Sequence, residues 1–141
     1  MNDEPKPHVY LFGYSGRHVF DLARVTSTLD AVVVDIRLCP VSRQPEWGLG
    51  FLKHNLKDRY IRLGEWGNKN YSSNRYSNID ISNFEKGLEI FQSIKSKAVI
   101  LMCACKSNEH CHRRLIGEKL IALGYEVSEL NLNTTFRVDY A

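Results

Sequence analysis

Residues 98–104, Ala-Val-Ile-Leu-Met-Cys-Ala, form the most apolar stretch of the chain. A short unbroken apolar run bounded by polar residues suits a strand buried on both faces, and such strands belong to parallel sheets covered by helices. The rest of the chain must therefore supply parallel neighbours for this strand and amphipathic helices to cover them.

The flanking patterns do so. Residues 8–12 read as a first strand ending in the turn Gly13-Tyr14-Ser15-Gly16, and Val19, Phe20, Leu22, Ala23, Val25 and Leu29 recur at helical spacing behind it. Residues 31–36 read as a second buried strand, 37–50 as a long loop, 51–58 as a short helix and 59–63 as a third strand. Residues 64–79, rich in Gly, Asn, Ser and Tyr, read as a lid-like loop outside the core. Ser82 or Asn83 is placed to cap a helix running to about residue 97, with Phe84, Leu88, Ile90, Phe91 and Ile94 as its buried stripe. After the apolar run, 106–110 is a loop. A helix over 111–123 turns Leu115, Ile116, Leu120 and Leu123 inward and stops at Gly124, and 125–132 is a last strand. Alternating strands and helices predict one α/β domain over 1–141. It would hold a single open, mostly parallel sheet of about five strands with helices on both faces, a Rossmann-like three-layer arrangement. Residues 1–7 form a disordered or extended segment.

A chain of 141 residues, 43% hydrophobic and 25% charged, can bury a core without staples, and these proportions exclude disorder, collagen and coiled coil. The net charge of +3 is spread along the chain, which argues against bulk duplex binding and for a local pocket. Three of the four cysteines, Cys103, Cys105 and Cys111, fall within nine residues. Disulfide loops would be very short, so reduced thiols in a cytoplasmic protein are expected. Neither a signal peptide nor a membrane-spanning run is present, so no membrane partner is expected.

In open parallel sheets, ligands bind outside the carboxyl ends of the strands. Three such ends carry chemistry. Tyr14, Ser15 and Arg17 follow the first strand, Asp35 and Arg37 end the second, and Cys103 through Arg113 follow the fourth. Cys111, His112 and Arg113 stand where a helix begins, so exposed amides, a dipole end and a guanidinium can hold an anion beside a thiol of lowered pKa. Each position also has a plainer reading. Cys103 can be core packing and Cys111 can pack under the first helical turn. Asp35 and Arg37, leaving one face of the strand, can be a structural ion pair rather than a base or ribose ligand beside a phosphate-binding arginine. Arg17 and Arg43 can be surface. Trp47, Trp66, Tyr71 and Tyr76, with Arg75, can stack a base at the pocket mouth or pack loops onto the body.

A zinc site built from Cys103, Cys105, His110 and Cys111 or His112 has suitable residue types. Sequence neighbours at 110–112, however, do not converge readily on one tetrahedron, so neither a metal nor another cofactor is expected. A tyrosine-phosphatase loop is excluded by spacing, since Arg113 lies ten residues after Cys103, eight after Cys105 and two after Cys111.

Five short segments in order carry a family resemblance: Gly13-Tyr14-Ser15, Val34-Asp35-Ile36-Arg37, Pro40-Val41-Ser42-Arg43, Leu63-Gly64-Glu65-Trp66-Gly67, and the apolar strand leading to Cys103-Ala104-Cys105-Lys106 and Cys111-His112-Arg113. In these the chain resembles the domain-of-unknown-function 488 family, with Cys105 where that family's glutamate is expected. The resemblance implies an α/β fold and a clustered polar pocket, without an established reaction. The expectation from the residues is a phosphate or nucleotide pocket. Its ligand contacts are Tyr14, Ser15, Arg17, Arg37, Arg43, Trp66, Cys103 and Arg113, and any chemistry on a nucleotide, nucleoside or nucleic-acid end runs through Cys111 and His112 with Asp35 as base. The alternative is a non-catalytic protein that sequesters a small phosphorylated signal. A homo-oligomer is compatible with either.

Overall fold

The structure, a computed structural model, describes residues 5–70, 76–105, 111–132 and 138–140. Five parallel strands form an open sheet: β1 (His8–Gly13), β2 (Val32–Asp35), β3 (Tyr60–Arg62), β4 (Ala98–Cys103) and β5 (Val127–Leu132). A sixth strand, β6 (Val138–Tyr140), is absent from the sequence reading and extends the edge antiparallel to β5. The order is β3-β2-β4-β1-β5-β6. All six residues of β4 are buried between β1 and β2, the place its composition demands.

Alternate strand residues enter two separate cores. Tyr10, Phe12, Val33, Ile100 and Met102 pack with Val19, Leu22 and Val25 of helix α1 (Val19–Thr28) and Leu52 and Leu56 of α2 (Leu49–Leu56). Val9, Leu11, Val34, Val99 and Leu101 pack with Phe91 of α3 (Phe84–Gln92) and Ile116 and Leu120 of α4 (His112–Ala122). Successive strand side chains point to opposite faces, so the two cores lie on opposite sides of the sheet. The chain steps β1-β2-β3 in one direction using α1 and α2, then returns to β4 and β5 using α3 and α4. A constant crossover hand requires that change of face.

Local signals set the helix ends. The Asn83 side chain accepts the Lys86 N–H at 3.1 Å, making it the cap of α3. That helix ends at Gln92 rather than near 97, because Ser93 turns the chain and residues 95–97, Lys-Ser-Lys, offer nothing to bury. Gly124, at φ 95°, stops α4 in a conformation that favours glycine. Leu123 sits at that end and is exposed, against the expectation of an inward side chain. Residues 66–68, expected in a lid, are buried: Gly64–Trp66 is a helical turn, and Trp66 is fully buried between Phe84 and Phe91. Tyr71, Arg75, the Tyr76 side chain and the loop 106–110 lie outside the described residues. Among the described residues no helix is long and apolar enough to cross a membrane.

Candidate functional site

β1 and β4 are neighbours, but the chain leaves β1 for the α1 face and β4 for the α4 face. A crevice therefore opens outside their carboxyl ends. A cavity of about 250 Å³ lies there, lined by Tyr14 after β1, by Arg37, Leu38, Cys39 and Val41 after β2, by Asn68, and by Ala104, Cys105, Cys111 and His112 around the β4–α4 connection. Close backbone approach builds its floor. Tyr14 and Ser15 donate their N–H groups to the carbonyls of Cys103 and Ala104 at 3.0 and 3.1 Å. Gly13 is required beneath them, since a methyl group there would overlap the Cys105 carbonyl and come within 2.6 Å of Arg113 Nη1.

The wall after β2 is held by ionic bonds. Arg37 donates from Nε and Nη2 to the two oxygens of Asp35 at 2.8 and 2.6 Å, and from Nη1 to the Trp47 carbonyl at 2.7 Å. The Tyr60 hydroxyl donates to the same Asp35 carboxylate. Burial pushes the Tyr60 phenol above its ordinary range, and the Asp35 charge and hydrogen bond push it further. For Arg37, burial acts to lower the pKa, but the bond to Asp35 and its charge prevail and raise it. Arg62 of β3 donates to the carbonyls of Asp35 and Leu38 at 3.0 and 2.7 Å, fixing the turn that carries Arg37. With both oxygens so engaged, Asp35 fits the ion-pair reading, not that of a base facing the cavity.

On the α4 side, Cys111 stands just before the first turn of the helix, and the next two side chains diverge. His112 turns to the cavity, where its Nε2–H donates to the Ile36 carbonyl at 2.8 Å. This leaves the Nδ1 lone pair 3.8 Å from Cys111 Sγ. Burial lowers the His112 pKa, so the ring is neutral, although the Ile36 bond opposes the shift. Arg113 is fully buried behind the thiols. It donates to Glu129 of β5 from Nε at 3.1 Å and from Nη2 at 2.6 Å, and from Nη1 to Cys103 Sγ at 3.2 Å and the Cys105 carbonyl at 2.9 Å.

The three clustered cysteines converge here. Cys103 and Cys111 hold their sulfurs 2.8 Å apart, and with Cys105 all three sulfurs lie within 4.8 Å of one another. Bonds from Cys103 and Cys111 draw Cys105 far below an ordinary thiol against the effect of burial, while burial pushes Cys103 well up. Cys111 is raised too: its bond with Cys103 acts downward, but its bond with Cys105, burial and the Cys105 charge outweigh it.

Of the site residues proposed from sequence, Tyr14, Arg37, Cys111 and His112 line the cavity. Ser15, Arg17, Asp35, Arg43, Trp66, Cys103 and Arg113 do not. Ser15 and Arg43 are exposed, Arg17 is half-buried, and Asp35, Cys103 and Arg113 stand behind the wall. Trp66 belongs to the α3 core. Trp47, stacked on Tyr14 with ring centroids 4.7 Å apart, is fully buried in the other core, so neither tryptophan offers a face to a ligand. Tyr60, Arg62, Glu129 and Asn68 were not singled out from sequence. Glu129 shares its strand face with Val127 and Asn131, a mixed face with no clear signal of a buried ion pair.

No curated protein and no solved structure matches the chain. A family model does match, over residues 20–120, which takes in β2 to β4 and most of α4 and leaves Gly13-Tyr14-Ser15 outside. The chain belongs to the family described as Domain of unknown function DUF488.

Proposed function

We propose that the cavity binds one small phosphorylated ligand, no larger than a mononucleotide, with its anionic end toward Arg37 and the first amides of α4. The observation that carries this is a concavity at the sheet's switch point with a buried arginine in its wall. Arginine has five N–H donors, of which Asp35 and Trp47 take three in known directions, so the guanidinium is fixed in the cavity wall. The volume, about 250 Å³, falls below the roughly 300 Å³ at which pockets for drug-sized ligands begin, and this limits the ligand's size. Binding without turnover is the favoured form. Asp35, the base expected from sequence, has both oxygens engaged by Arg37 and Tyr60. A reducing cytoplasmic setting, supported by four free cysteines, completes the reading.

The test is a thermal-shift and calorimetric panel of mononucleotides, sugar phosphates and inorganic phosphate. A true ligand stabilises by about 2.7 kcal/mol at a hundred times its Kd. Ala104→Phe, which fills the cavity, should abolish the shift while leaving the unliganded melting temperature close to that of the parent. Failure of every phosphorylated compound to bind, or unchanged binding in Ala104→Phe, rejects the proposal. Release of intact ligand on denaturation supports sequestration, whereas recovery of a transformed product supports an enzyme.

A further inference from the structure

We propose that Cys103, Cys105 and Cys111 form a binding site for one thiophilic metal ion, of the class of zinc or monovalent copper, with a fourth coordination position open to the cavity. Three thiol sulfurs from separate backbone positions, the last residue of β4, the second residue beyond it and the residue just before α4, lie within 4.8 Å of one another. Sulfur ligands at about 2.3 Å from a shared ion stand about 4 Å apart, so the cluster matches a loaded site once Cys103 and Cys111, now at 2.8 Å, open by roughly 1 Å. Softness of the donor set selects thiophilic ions over magnesium or calcium.

The surroundings suit such a site. Arg113 Nη1 donates to Cys103 Sγ at 3.2 Å, a bond that stabilises sulfur as a thiolate and orients it. The same guanidinium holds the Cys105 carbonyl, so Cys105 is tied to the strand end rather than left on a loose loop. Cys105 and Cys111 also line the cavity, which places the unfilled position where water or a ligand atom can enter. Among the described residues no fourth histidine, cysteine or carboxylate joins the group. Three protein ligands and one exchangeable position is the pattern of reactive rather than purely structural zinc sites. Ion binding would displace the protons the three thiols still carry. The inference does not depend on the phosphorylated ligand proposed above.

Fully reduced protein, kept anaerobic, is titrated with cobalt(II) as a spectroscopic probe and then with zinc and copper(I) in competition. One ion per chain is expected, with an intense sulfur-to-cobalt charge-transfer band that zinc or copper(I) removes. Cys105→Ser, at an exposed position, should fold as the parent does by thermal melting, bind the ion more weakly and show a diminished charge-transfer band. No band in reduced parent protein, or an undiminished band in folded Cys105→Ser, overturns the assignment. Binding of phosphorylated compounds can persist in Cys105→Ser, so the two proposals fail separately.

Discussion

Asp35 is the residue on which the cavity wall depends. Its carboxylate is wholly buried and receives Arg37 through two side-chain bonds and the Tyr60 hydroxyl through a third. A buried pair of this kind adds little net stability over an apolar substitute, yet removing one partner strands the other's charge away from water. Asp35→Ala should therefore lower the unfolding free energy by about 3 kcal/mol or more, read from urea denaturation. A loss within about 0.5 kcal/mol, the range of ordinary surface changes, would mean that Arg37 finds water or another acceptor. The sequence displayed Asp35 and Arg37 on one strand face and left two roles open. What decides between them is Tyr60, which reaches Asp35 from the neighbouring strand.

Elements deliver these residues to one rim, and α3 and α4 do so in different ways. α3 serves as cover: Gly87 lets Trp66 lie against the helix, since a methyl group there would overlap the indole ring, and Phe84 and Phe91 close around it. Its start rests on the Asn83 cap, so Asn83→Ala should cost about 1 kcal/mol in unfolding free energy, while Ser82→Ala should fall within about 0.5 kcal/mol of the parent. Equal losses for both would assign the cap wrongly. α4 serves as the site's own helix, and its rotation sorts adjacent side chains. Successive residues are about 100° apart around a helix, so His112 reaches the cavity while Arg113 lies over Gly13 at the end of β1 and reaches Glu129 of β5. Cys-His-Arg reads in sequence as one cluster. In space it divides into a cavity wall and a buried tie.

For the whole molecule, the sheet joins both cores, and its stability should carry the signature of the buried phenol at its edge. Tyr60 has a folded pKa above its unfolded value of about 10, raised first by burial and then by Asp35. Below about pH 10 both states keep the proton and the contribution is fully present. Above it the unfolded chain releases the proton while the folded chain keeps it, so stability falls as pH rises through the folded pKa. Unfolding free energies between about pH 9 and pH 11 should decline more steeply in the parent than in Tyr60→Phe; equal slopes would show that Tyr60 ionises alike in both states. The chain by itself determined the alternation of elements, the central place of residues 98–103, the Asn83-or-Ser82 cap and the Gly124 stop. Apolar periodicity and capping are local interactions, written within a few residues. Only the tertiary structure decided the sixth strand, the burial of Trp47 and Trp66, the retreat of Arg113 to Glu129 and the convergence of Cys105 with Cys103 and Cys111. Those depend on strand register, helix rotation and close backbone approach at Gly13, which bring together atoms far apart along the chain, and no local pattern encodes the direction in which a side chain will meet them.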